Sequence, residues 1–293
     1  MDYLVHILVI LSIQIILVAS LDLVAGVTGM LSVAHAAFLG LGAYTAGLIT
    51  VRLGLPLPVD LIAAALLTAV TGWVMGGWVV RLKADYLVLG TFAIQITAFE
   101  LFLNWSEVTG GAQGLRGVPR PDLPGLGPMN TPGQFLVLAG PIAIVAFWLC
   151  FRISASPFGR LLRLVRDDEV LAMSLGKNSL AAKRVVFSFS AALAGLAGAL
   201  EARYLGFVQP FEFGAIASIL VLAAVIVGGA GTRLGPVAGA ALFVLMPELL
   251  RQLGLPGPAI GNLRQVAFGA LLIVCLLWRP EGLAGRSSRG DSR

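Results

Sequence analysis

Two histidines, His6 and His35, and two cysteines, Cys150 and Cys275, are the only imidazoles and thiols in 293 residues. A metal centre gathers three or four such ligands at short, regular spacing, and these four stand far apart. The sequence has no His-Glu-x-x-His, no Gly-x-Ser-x-Gly and no phosphate-cradling Gly-x-x-x-x-Gly-Lys-Ser/Thr. No catalytic residue and no metal or cofactor ligand is assigned, and any use of ATP requires another polypeptide. What remains is recognition by isolated polar groups inside apolar sequence. A polar side chain in a membrane span is costly, so each one is a functional candidate by default. Gln95 and Glu100 stand five residues apart in GTFAIQITAFELFLNW, and His35 stands in VAHAAFLGLGAY. Glu100 lies about one turn from the outer end of its run. There it either borders a pathway or is an interfacial acid held by a partner. His35 either contacts a solute or pins helices through hydrogen bonds. Glu201 and Arg203 can pair or snorkel and receive no role. Asp22 is placed to cap the segment that follows it.

The elements that must position these groups are membrane helices. The chain is 58% apolar and 12% charged, with a mean hydropathy of +0.94. A soluble domain carries roughly twice that charged fraction. Taking about 20 apolar residues per span, spans fall near 3–21, 29–50, 59–80, 86–105, 135–151, 185–206, 216–230, 236–251 and 263–279. The predicted fold is all-α: a polytopic membrane helix bundle of about nine spans, with eight to ten admissible. The whole chain, 1–293, reads as one transmembrane domain. Glycines 26, 29, 40, 42 and 47 interrupt 22–50, which predicts a broken or re-entrant helix buried by protein or lining a cavity. Gly228–Gly235 forms a similar corner. The pairs Gly72/Gly76, Gly195/Gly198 and Gly235/Gly239 predict closely packed backbones.

The net charge of +5 and pI near 9.7 would suit nucleic acid, but the basic residues cluster in the short connections between apolar runs. Topology accounts for them, and no nucleic-acid partner is expected. Placing 81–85, 152–184, 231–235 and the tail together with Arg279 on one side collects 14 of the 20 Lys/Arg there. That side is the expected cytoplasm, with the N-terminus outside. The N-terminal run has no Lys/Arg and no clear cleavage site, so it reads as a retained span. The tail, 280–293, reads as a flexible cytoplasmic segment. The Gly/Pro-rich connection 106–134 falls on the opposite, extracytoplasmic side and is too long for a mere turn.

The densest charge lies in 152–184, which holds seven Lys/Arg and the triplet Asp167, Asp168, Glu169. Ser156 and Pro157 suit an N-cap and a first helical position, Arg163 and Asp167 are spaced i,i+4, and Gly176 suits a C-cap. One helix over 157–176 is predicted. Arg160, Arg163 and Arg166 recur every three residues along it. Leu161, Leu164, Val165 and Leu171 supply apolar surface that a solvated loop would not need. The acidic triplet would fix register through charge. Tethered between two spans, such a helix can carry force to a soluble partner. A plain positive-inside loop would carry the same charges.

Five motifs in order, TGMLSVAHAAFLGLGAYTAGL at 28–48, NWSEVTGGAQGLRGVP at 104–119, SPFGRLLRLVRDDEVLAMSLG at 156–176, SFSAALAGLAGALEARYLGFVQP at 188–210 and VGGAGTRLGPVAGAAL at 227–242, resemble one family. It is the permease family of branched-chain amino acid ABC importers, LivM-type members of the LivH/LivM group. The likeness covers nearly the whole chain. It implies a homologous partner permease, two cytoplasmic ATPase subunits holding ATP and Mg, an extracytoplasmic solute-binding protein and the bacterial plasma (inner) membrane. It implies that 152–184 contains the coupling helix that docks on an ATPase. Thr109, Gly110 and Gly111 match the family's outer loop ahead of Gly114, Leu115, Gly117 and Pro119. Glu201 departs from the family, where an aromatic or small residue is expected. Relatives handle urea and amides as well as amino acids, so the solute stays open. The alternative is a self-contained secondary transporter, with 22–50 and 228–236 forming a midplane site. An evident ion-coupling cluster is lacking for that, and a membrane-embedded enzyme lacks any acid/base or metal constellation.

Overall fold

The computed structural model describes residues 2–123, 127–129, 131–251 and a few residues between 263 and 284. Inside lipid a backbone must satisfy its own hydrogen bonds, so each apolar run closes into a helix. Six are long and apolar enough to cross a membrane. These are α1 (Asp2–Asp22), α2 (His35–Leu48), α3 (Leu57–Val79), α4 (Ala84–Asn104), α6 (Pro132–Ala155) and α9 (Ser179–Leu205). Two are extended by π-helical turns, α1 through Leu23–Val27 and α2 through Ile49–Leu53. Two shorter apolar helices follow, α10 (Ala215–Gly229) and α11 (Gly235–Arg251). These eight coincide with eight of the expected segments. In the ninth, 263–279, ten residues are described and all are helical, while most of the tail lies outside the described residues.

α2 is the most enclosed piece of this bundle, held between α9, α3 and α1. Glycine makes that possible. A methyl at Gly42 would collide with the Gly195 carbonyl, and one at Gly198 with the Leu39 carbonyl, so α2 and α9 meet backbone to backbone. α3 closes on the same pair, with Gly72 against Ala191.

The two ends of the bundle differ. At one end the short helix α5 (Ser106–Thr109) leads to β1 (Leu115–Arg116), which pairs antiparallel with β4 (Phe207–Val208), Leu115 opposite Val208. A small hairpin, β2 (Asp122–Leu123) with β3 (Gly127–Pro128), belongs to the same connection. The expected outer connection, 106–134, thus shares one face with the segment 207–215 that follows α9. At the other end lie α7 (Pro157–Asp167), α8 (Glu169–Ser174) and the corner 229–235. Leu283 and Ala284 donate from their backbone N–H groups to Val227 and Gly228 at this end. It is the end to which the charge count assigned 152–184, 231–235 and the tail.

The single helix predicted over 157–176 is two helices. Ser156 caps α7 as expected, accepting from Gly159 N at 3.2 Å. Asp168 then leaves helical geometry at φ −154° and caps α8, its Oδ1 accepting from Leu171 N at 2.9 Å. Two adjacent aspartates offer the backbone this competing bond, which breaks the helix. Gly176, at φ 73°, ends α8 instead of the longer helix.

Candidate translocation site

α2 begins inside the bundle, and its first N–H groups need partners that helix geometry cannot supply. Neighbouring spans provide them. Thr91 Oγ1 accepts from Val33 N at 3.1 Å, Ser218 Oγ from Ala36 N at 2.9 Å and Gln95 Oε1 from Ala37 N at 2.8 Å. Gln95 Oε1 also accepts from the Ser218 hydroxyl at 2.8 Å, and Gln95 Nε2 donates to Phe213 O at 2.6 Å. Gln95 sits midway along α4, so the helix break occurs part-way across the membrane. The broken segment expected at 22–50 is real, and a polar cap borrowed from α4 and α10 makes it tolerable.

His35 is pinned in the same region. The Ser190 hydroxyl donates to Ser20 O, so its one proton is committed. His35 Nε2, 2.8 Å from Ser190 Oγ, is therefore the donor in that bond. Its buried Nδ1 is left an acceptor without a partner. Both Gln95 and His35 are thus occupied in holding α2 to its neighbours.

The other sequence candidates lie apart from them. Glu100 is exposed and accepts from Asn104 Nδ2 at 2.8 Å. Its neighbours Ile96 and Phe99 face the interior cavity, and it does not. Glu100→Gln should therefore leave uptake and yield within about twofold of the parent, as for most surface changes. A larger loss of uptake per folded molecule would return Glu100 to the pathway. Thr109, Gly110 and Gly111 form the turn that closes α4. Thr109 Oγ1 donates to Phe102 O at 2.7 Å and accepts from Gly111 N at 3.2 Å. They hold the outer loop in place and do not line the cavity.

That cavity, about 690 Å³, lies between α1, α2, α4, α9, α10 and the turn Pro210–Phe213. Ile96, Phe99, Leu220 and Phe243 give it an apolar wall, and Gln14, Glu201 and Glu212 its polar part. Glu212 and Phe211 are exposed at the rim, on the face of the outer loop. Within, Gln14 Oε1 and Glu201 Oε2 are shielded from solvent and have no hydrogen-bond partner. Sequence reasoning set Glu201 aside. Its one signal was the departure from the family pattern.

Arg203, one helical step further on, points to another side. Its Nε lies 2.9 Å from Asp60 Oδ2 in an ion pair rather than an aligned hydrogen bond, with side-chain exposures of 4% and 0%. Arg203 Nη1 donates to Pro119 O at 2.7 Å, and Thr50 Oγ1 to Asp60 Oδ2 at 3.3 Å. The pair fastens α9, α3, the α2 extension and the outer loop together. No sequence spacing brought these residues together.

At the opposite end, Arg166 reaches inward. Its Nη1 donates to Gly26 O at 2.8 Å, at the π-helical end of α1. Gly231 N donates to Asp22 Oδ1 at 2.7 Å, and Gly26 is so close to Gly231 that a methyl would not fit. Asp22 thus holds the 229–235 corner and does not cap its own neighbour. Leu162 and Val165 are buried within the chain, and Arg163 lies 3.4 Å from Ser154 Oγ. Val165 therefore cannot belong to a docking face. Leu164 is half-buried, while Arg160 is exposed. Asp167 pairs with Arg166 at 3.3 Å, and Glu169 with Lys183 at 2.7 Å. Burial of Glu169 pushes its carboxyl up, but hydrogen bonds from Lys183 and Ser179 and the Lys183 charge bring it below the ordinary range. The triplet braces its own loop, and the exposed apolar side chains are on α8 and just beyond: Val170 at 71% exposure, Leu171, Met173 and Leu175.

Residues 3–276 match the family described as branched-chain amino acid transport system / permease component. The chain belongs to this permease family. The family places it among multi-pass membrane permeases and not among enzymes. The permease is 32% identical to the high-affinity branched-chain amino acid transport system permease protein LivM of Salmonella typhimurium, over 92% of this chain and 67% of the relative. The LivM protein of Escherichia coli gives the same identity and coverage. A more distant relative is the autoinducer 2 import system permease protein LsrC of an Enterobacter species, 28% identical over 69% of the permease and 59% of LsrC. No solved structure matches.

Proposed function

We propose that this permease is the membrane subunit of an ATP-binding cassette importer, passing branched-chain amino acids or a related small polar solute by alternating access. The observation that carries the reading is the α7–α8 loop. Val170, Leu171, Met173 and Leu175 are exposed on a basic loop, where bare apolar surface calls for a partner. The same loop is tied to the membrane helices through Arg166 and Gly26. A partner gripping α8 therefore pulls on the end of α1 and, through Asp22 and Gly231, on the corner before α11. The chain has no nucleotide-binding pattern, so the partner is a cytoplasmic ATPase carrying ATP and Mg. A homologous second permease, a second ATPase subunit and an extracytoplasmic solute-binding protein complete the assembly. The binding protein would dock on the face formed by 106–134 and 207–215. The chain would sit in a bacterial inner membrane, α7, α8 and the C-terminus facing the cytoplasm.

The double change Val170→Asp with Met173→Asp tests this. Burying carboxylates at the interface should weaken ATPase capture by about a hundredfold or more, with insertion of the permease unchanged. Co-purification and uptake into proteoliposomes are the measurements. Full ATPase recovery with normal uptake would reject the coupling role. Uptake by the permease alone, without ATP, would assign it to the self-contained carriers.

A further inference from the structure

The interior cavity presents a solute with two bare acceptor oxygens and no cationic side chain among its described lining residues. Glu201 Oε2 and Gln14 Oε1 face it unpartnered, and Glu212 stands at its rim. Among the described residues the lining contains no Lys, Arg or His. The neighbouring cation, Arg203, is committed to Asp60 and to Pro119 O. A carboxyl group and an amide oxygen left bare inside a membrane protein cost folding energy, and a visiting donor would relieve that cost. An apolar wall of Ile96, Phe99, Leu220 and Phe243 stands across from them.

We infer that this cavity is a solute station that recognises an ammonium group on a small apolar body, through Glu201 and Gln14, with Glu212 as the first contact at the rim. This rests on the importer reading and narrows its solute class. A solute's N–H₃⁺ supplies three donors, which suits two buried acceptor oxygens and a charge-assisted bond to the carboxylate. A carboxylate on the solute would find no cationic side chain among the described lining residues, and only the Gln14 amide as a neutral donor. Urea or a simple amide would meet the oxygens with neutral N–H groups and forgo the charge-assisted bond.

The test uses the purified complex of the permease with its companion subunits in detergent, without the binding protein, so that selectivity belongs to the membrane part. Leucinamide and 4-methylpentanamide share an apolar body and an amide, and only the first carries an amine. Titrated into the complex and read as a rise in melting temperature, leucinamide should bind at least about tenfold more tightly than its deaminated analogue. Glu201→Gln, which keeps the shape and removes the charge, should erase that difference. It should not lower the melting temperature of the unliganded complex, since Glu201 Oε2 has no partner to lose. Gln14→Met should weaken leucinamide binding by severalfold and weaken the analogue less, and it serves if the Glu201 variant does not assemble. Equal binding of the two probes, no binding of either, or a preference that survives both substitutions would overturn the inference. Failure of the importer reading looks different: ATP-dependent uptake would be absent while the probe preference persisted.

Discussion

Arg203→Met should destabilise the folded permease by about 3–5 kcal/mol, the cost of leaving Asp60 buried without its cation. Asp60 has no exposed side-chain surface, and its remaining partners are Thr50 Oγ1 and the backbone N–H of Leu61. Neither carries charge, so they cannot replace the guanidinium. The second substitution Asp60→Leu, made on top of the first, should recover most of the loss. An apolar pair commonly equals or exceeds a buried ion pair in stability. Thermal unfolding in detergent, followed by tryptophan fluorescence, gives all three values. Additive losses in the double variant would show that Arg203 acts through packing alone. The double variant should still lack the hydrogen bond to Pro119 O, leaving the 106–119 loop less firmly seated. Recovered stability with reduced docking of the binding protein is the expected combination.

Gln95→Leu is the second large effect. It removes an acceptor from Ala37 N and the Ser218 hydroxyl, and a donor from Phe213 O. Ala37 N keeps a 3.1 Å bond to Ala34 O, so the full penalty falls on Phe213 O and Ser218. At about 1–3 kcal/mol for each stranded buried group, the variant should lose about 2–6 kcal/mol. Uptake should fall in proportion to the folded protein recovered, because Gln95 supports the start of α2 and does not meet the solute. Normal folding with lost uptake would place Gln95 in the pathway after all.

The difference between Gln95 and Glu201 shows what the sequence could reveal. Length and apolarity located eight helices within a few residues, because in lipid nothing but a helix satisfies the backbone. Glycine spacing foretold close backbone packing at Gly195 and Gly198 without naming the partner helix, and Ser156 with Pro157 foretold the start of α7, since both signals are local. Which buried polar group is satisfied and which is bare is not local. Gln95 and Glu201 look alike as polar interruptions of apolar runs. Only the meeting of α4 with α10 gives Gln95 its partners, and only the cavity between α1 and α9 leaves Glu201 without any. Asp60 and Arg203 lie far apart in the chain and share no spacing rule. Val165 was read as docking surface because an apolar stripe does not say which side of its helix already has a neighbour.

The backbone contacts at Gly42, Gly195 and Gly198 bear on how such a subunit can flex. Surfaces that meet through peptide groups have no side chains to reshuffle, so that joint is stiff, and α2, α3 and α9 travel as one block. α10 and α11 form a second stiff body, with Gly239 against the Ala224 carbonyl. The cavity runs along the seam where these blocks face each other, and at one end Ala36 N and Ala37 N of the first block are tied to the second through Ser218 and Gln95. Opening and closing the seam needs no bending inside either block. The smallest residues in the chain thus decide where the molecule hinges by deciding where it cannot.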